Sequence, residues 1–122
     1  MSGSLVALCA DTTSLQHPES IGLAGENLAA QDWLRIFSSA EEARRFLRTD
    51  RLVDEVWVAS SDDVAPINLA ATLKRDRSDR CVCMLSFEDT GSLKSRMSAT
   101  GIDASLTRQA LAERYARRKQ AF

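Results

Sequence analysis

The sequence predicts an α/β protein in three layers, a parallel sheet covered by helices on both faces. Three observations lead there. Short apolar runs of strand type recur five times, and a stretch with helix signals follows each. The runs are close to continuously apolar, as expected of strands buried on both faces. The chain has 122 residues, 44% of them hydrophobic and 27% charged, with no internal repeat or low-complexity linker, which suits one domain with one modest core.

The elements follow in order. Leu5–Ala10 (LVALCA) reads as a buried first strand that ends at Asp11. Thr12–Gln31 reads as a loop and then an imperfect helix to about Ala30. Pro18 is suited to opening it, and Gly22 and Gly25 weaken it. Trp33–Phe37 is a second strand. Ser38 or Ser39 then caps a helix with Glu41 and Glu42 in its first turn and with Ala43, Phe46 and Leu47 on one face. Glu55–Ala59 is the third strand, and Pro66 opens a helix whose inner face is Leu69, Ala70 and Leu73. Cys81–Leu85 is the fourth strand. Asp89 or Thr90 caps a further helix carrying Leu93 and Met97, which Gly101 follows. Ala104–Leu106 is a short fifth strand, and a last helix from near Thr107 buries Leu111, Ala112 and Tyr115. That helix runs to Phe122 without a stop signal, as expected of a domain that forms the N-terminal part of a longer protein.

Composition excludes several classes of function. No apolar run approaches the roughly 20 residues that span a bilayer, so no membrane insertion is expected. The start, MSGSLVALCAD, lacks a basic n-region and has too short an apolar stretch for a signal peptide, so a cytoplasmic location is expected. A net charge of −1 gives no global pull toward nucleic acid, and the cluster Arg108, Arg114, Arg117, Arg118 and Lys119 reads as a solvated helix face. Cys9, Cys81 and Cys83 are odd in number and read as reduced core thiols. Cys81 and Cys83 share a strand face, but two thiols and a distant His17 do not make a zinc site. No glycine-rich phosphate loop is present. The hydroxyls of DTTSLQ give a small-ligand site of nucleotide or flavin type little to build on. His17 reads as a surface histidine, Trp57 as core and Trp33 as partly buried.

In a sheet of this kind the site lies at the carboxyl ends of the strands, near the point where strand order reverses. The residues there are Asp11, Ala59 and Ser60 with the following Asp62 and Asp63, Ser86, and Thr107–Arg108.

At these residues the chain resembles a CheY-like response-regulator receiver domain over essentially its whole length. GIDASLTR (Gly101–Arg108) is similar to the glycine, acidic turn, short strand and terminal lysine that close a receiver site. CVCMLS ends in a hydroxyl residue, Ser86, and lies 22 residues before Arg108, the receiver spacing of those two functions. LAATLKRDRSDRCVCMLS resembles the third helix, loop and fourth strand. The resemblance implies flavodoxin-like topology with strand order 2-1-3-4-5. It also implies a phosphoacceptor aspartate at the end of the third strand and Mg²⁺ held by that aspartate and a pair of acids after the first.

The pattern departs at those places. Asp11 stands between Ala10 and Thr12, Ala59 and Ser60 occupy the acceptor position, Arg108 replaces the lysine, and Gln109 replaces the proline that usually follows. A serine cannot form an acyl phosphate, and an arginine fork is not equivalent to a compact ammonium. Asp62 and Asp63 lie two or three residues late, a displacement of about 7 Å along a strand, and read as caps of the next helix; as displaced acceptors they are the alternative. The expectation is a non-phosphorylatable receiver-like domain: no enzyme, no cofactor and no metal, with a degenerate pocket of Asp11, Ala59, Ser60, Ser86 and Arg108. It would work through protein–protein contacts, as a homodimer or with an output domain C-terminal in the same chain. The face implied by receivers draws here on Leu93, Met97, Leu111, Tyr115 and Arg118. Receivers of this atypical kind occur at the N-terminus of ParA/MinD-like pilus-assembly ATPases of the TadZ/CpaE type.

Overall fold

Five parallel strands, β1 (Leu5–Cys9), β2 (Leu34–Phe37), β3 (Val53–Val58), β4 (Cys81–Leu85) and β5 (Ala104–Leu106), form one sheet in the order β2-β1-β3-β4-β5. The structure, a computed structural model, describes residues 5–50, 52–59, 64–85 and 101–121, with backbone alone at 64–68 and 121. The described helices are α1 (Thr12–Gln16), α2 (Ala40–Thr49), α3 (Val64–Asp76) and α4 (Arg108–Ala121). Ser60, Asp62, Asp63, Ser86, Leu93 and Met97, and the helix expected from Asp89 or Thr90, lie outside the described residues.

Strand alternation divides the core into two layers. On one face Ala7, Cys9, Val56, Val58, Val82 and Met84 pack under Ala43 and Leu47 of α2 and Ala70 and Leu73 of α3. On the other, Val6, Leu8, Trp57, Cys83 and Leu85 pack under Leu111 and Tyr115 of α4. Trp33 completes this second layer, edge-on to Trp57 at 6.3 Å and tilted against Tyr115 at 5.1 Å. The helix caps agree with local chemistry. The Ser39 hydroxyl accepts the Glu42 amide at the start of α2, and the Thr107 hydroxyl accepts the Ala110 amide at the start of α4.

Several local expectations are corrected. No helix runs toward Ala30 after β1. The one-turn α1 gives way to 3₁₀ turns at Pro18–Ile21 and Leu28–Ala30. Gly22 and Gly25 are the cause, since both take left-handed φ values, +87° and +78°, that a continuing helix cannot use. Trp33 is fully buried rather than partly so, and it precedes β2. Phe46 is 40% exposed and lies against Phe37 rather than under the sheet, and Ala112 is half-buried.

The polar groups that fasten the layers sit at the amino ends of the strands. Arg80 is 2% exposed, and its guanidinium donates to the carbonyls of Val53 (2.9 Å), Leu47 (3.1 Å) and Asp50 (2.9 Å). It thereby ties the carboxyl end of α2 to the start of β3. The Lys74 ammonium bridges the Arg80 carbonyl and the Asp103 carboxylate, which also accepts the Val82 amide.

Candidate functional site

Strand order reverses between β1 and β3, so the crevice expected to bind a ligand opens at their carboxyl ends. Its described floor is apolar. Ala10 and Ala59 are 5% and 0% exposed, and the Ala59 amide donates to the Cys9 carbonyl at 2.9 Å. Ala10 and Ala59, the described residues that end these strands, carry no functional group.

Asp11 stands at the rim, partly buried, and serves as the N-cap of α1. One carboxylate oxygen accepts the Ser14 hydroxyl at 2.5 Å and the other the Ser14 amide at 3.4 Å. A short polar side chain in extended backbone just before a helix takes this role readily. Arg108, the first residue of α4, is exposed, and its Nε donates to the Ser20 carbonyl at 2.9 Å. Gly22 lets this approach happen, because a Cβ at that position would collide with the Arg108 carbonyl. The structure therefore brings Asp11, Ala59 and Arg108 to the edge that the sequence indicates. There Asp11 is turned toward its own helix and Arg108 toward the 3₁₀ turn. Among the described residues this edge supplies one carboxylate, which falls short of the paired acids of a receiver's Mg²⁺ site.

No protein-family model matches the chain, and no curated protein matches it. Solved structures do. A response-regulator receiver domain (CheY-like) from Methanospirillum hungatei superposes with a TM-score of 0.63 at 14% identity, over 96% of this chain and 94% of its own. The chemotaxis protein CheY4 of Vibrio cholerae gives 0.65 at 16%, over 93% and 98%. The chain has the CheY-like receiver fold. A Burkholderia pseudomallei protein described as pilus assembly-related also shares this fold, with a TM-score of 0.60 at 13% identity over 96% and 90%.

On the receiver fold, the expected interaction face needs correction. Leu111 and Tyr115 are each 1% exposed, and both fill the layer between α4 and the sheet, so neither is available to a partner. Arg118, at 21% side-chain exposure, is committed within the chain to Asp54 at 3.3 Å and Glu55 at 2.9 Å. The described outer face of α4 instead presents Gln109, Glu113, Arg117 and Lys119, the last paired with Glu26 at 3.0 Å. Among the described residues no helix is long and apolar enough to cross a membrane.

Sequence reasoning missed the most heavily engaged carboxylate of the described chain. Glu55, near the start of β3, accepts from Trp57 Nε1 at 2.6 Å, Arg114 at 2.8 Å and Arg118 at 2.9 Å. Burial pushes its carboxyl upward, and the bonds from Trp57 and Arg118 with the charges of Arg118 and Arg114 outweigh that, leaving it below its ordinary value. A signal was present: an acid two residues before Trp57 shares its inward strand face. Cys81 and Cys83 lie beside Glu55 as the strand parity requires, with sulfurs 3.7 Å apart. Burial raises the thiols of both Cys83 and Cys9 to about 12, so both are protonated at neutral pH.

Proposed function

We propose that this domain is a receiver fold used for binding, with the phosphoryl chemistry absent. The observation that carries the reading is the end of β3. Buried Ala59 and then Ser60 stand where a receiver places its acceptor, and Asp11 across the crevice is engaged as a helix cap. With serine at the acceptor position and one committed carboxylate among the described residues of this edge, the site is short of the nucleophile and of the charge that gather Mg²⁺ and accept a phosphoryl group. The fold then supplies a rigid surface for a second copy or for an output domain in the same chain. Its likeness to a pilus assembly-related protein supports placing it with the TadZ/CpaE type, whose receiver-like domain precedes a ParA/MinD-like ATPase. The contact would use the polar outer face of α4, with Arg117 and Lys119, rather than the buried Leu111 and Tyr115.

Incubation with Mg²⁺ and acetyl phosphate, followed by intact mass, tests the chemistry. The expected result is an unchanged mass and unchanged amide shifts on adding beryllofluoride. A Mg²⁺-dependent adduct on Asp62 or Asp63 would replace this reading with that of a phospho-receiver using displaced acids. Sedimentation across concentration, with Arg117→Glu as the disrupting change, tests self-association. A monomer throughout would leave docking to an output domain as the binding mode.

A further inference from the structure

The strongest unassigned cluster lies at the opposite end of the sheet from the crevice. Cys81 and Cys83 point to one face of β4, Glu55 is paired beside Cys81 on β3, and the ligand atoms of all three lie within 4.8 Å of one another. We propose that Cys81, Cys83 and Glu55 form a binding site for a thiophilic divalent cation of the zinc type, independent of the proposed binding function.

Geometry is the first support. Two sulfurs at about 2.3 Å from a tetrahedral ion stand about 3.8 Å apart, and these stand at 3.7 Å without adjustment. The carboxylate is the second. Oε2 of Glu55 already accepts two donors, Trp57 Nε1 and Arg114, whereas Oε1 accepts Arg118 alone and keeps lone-pair capacity for an ion. Hydrogen bonds that fix a ligating carboxylate from behind are the usual support of a metal site. Access is the third. Cys81 is half-buried, and a cleft of about 180 Å³ lined by Trp57, Arg114, Arg117 and Arg118 reaches the cluster at Glu55.

The arginines do not forbid the ion. Binding exchanges two thiol protons, released to solvent, for one divalent cation, so the net charge of the cluster is unchanged. With three protein ligands the fourth position is left to water, as in open zinc sites.

Titration of the reduced protein with cadmium chloride, read by thiolate-to-cadmium absorption in the ultraviolet, tests the proposal. The expected result is one cadmium per chain, displaced by zinc, with release of two protons. Cys81→Ser and Cys83→Ser should each weaken binding at least tenfold, and Glu55→Gln tenfold or more. Cys9→Ser should leave it unchanged, because Cys9 faces the other side of the sheet. Thermal melts check the fold of each variant. Should Glu55→Gln fail to fold, the near-isosteric serine variants carry the test. No absorption at several-fold excess of cadmium, or absorption that survives Cys81→Ser with Cys83→Ser, overturns the assignment.

Discussion

Replacing Arg80 should cost this domain more stability than most single changes. The guanidinium is buried, makes no ion pair among the described residues, and is stabilised by three main-chain carbonyls, those of Leu47, Asp50 and Val53. Burial lowers its pKa, and the nearby Arg77 charge lowers it further; the three carbonyl oxygens, with the more distant charges of Asp50, Asp79 and Asp54, offset this. Arg80→Met keeps much of the stem and removes all three bonds. Asp50 retains a bond from Arg77 at 3.1 Å, so the losses concentrate on Leu47 and Val53. Charged hydrogen bonds contribute about 1.5–3 kcal/mol each, and relief of arginine desolvation offsets part of the loss, giving a net cost of about 3–4 kcal/mol. For a domain of this size that is a fall in Tm of roughly 10–15 °C. Arg80→Lys should lose nearly as much, since one ammonium cannot span the positions of a planar fork. Urea and thermal unfolding measure both. A loss under about 1 kcal/mol for Arg80→Met would refute the argument that this residue clamps α2 to β3.

Three further outcomes are expected. Gly22→Ala should destabilise by about 2 kcal/mol or more, because φ is +87° and the new Cβ meets the Arg108 backbone; equal unfolding midpoints would contradict this. Glu55 is held below its ordinary 4.5, so its contribution is present above that value and fades as pH falls through the lower folded-state value. Urea midpoints of Glu55→Gln should therefore decline less than the parent's between about pH 5 and 3, and parallel curves would argue against the network. Native protein treated with iodoacetamide at pH 7.5 should be modified first at half-buried Cys81, with Cys9 and Cys83 spared until unfolding. Peptide mapping reads the order, and Cys9 labelled at the unfolded rate would overturn it.

What the sequence revealed, and what it withheld, follows the range of the interactions involved. β4 and β5 match their expected bounds because each is a short apolar run between strong polar punctuation. The cap of α2 was open between two serines, and only the backbone geometry selects Ser39. The stretch from Thr12 to Gln31 went wrong because helix and turn signals are mixed there, and the two left-handed glycines prevail over Pro18. Asp11, Ala59 and Arg108 could be placed at one edge because strand ends are local features. Their partners Ser14 and Ser20 could not, since those follow from how the first crossover folds. Arg80 had no legible signal. In RDRSDR it is one of several charges, and only the return of α2 and β3 more than twenty-five residues away makes it a core residue.

These placements bear on what the fold is for. An open parallel sheet ordinarily concentrates its functional polar groups at the carboxyl ends of its strands. In this chain the described carboxyl ends of β1 and β3 are two buried alanines, while Glu55, Arg80, Lys74, Asp103 and Arg114 converge near the amino ends. The convergence holds α2, α3 and α4 to the sheet with fixed geometry, independently of any ligand in the crevice. A phosphorylation switch needs a sheet end that responds to charge. A docking module needs helices whose outer faces stay where they are. The charges of the described residues are placed where the proposed docking role would use them. The two are separable experimentally: if the domain docks as proposed, Arg80→Met should loosen partner binding together with stability, whereas Ser60→Asp, which sets a carboxylate at the position of a receiver's acceptor, should leave docking unchanged.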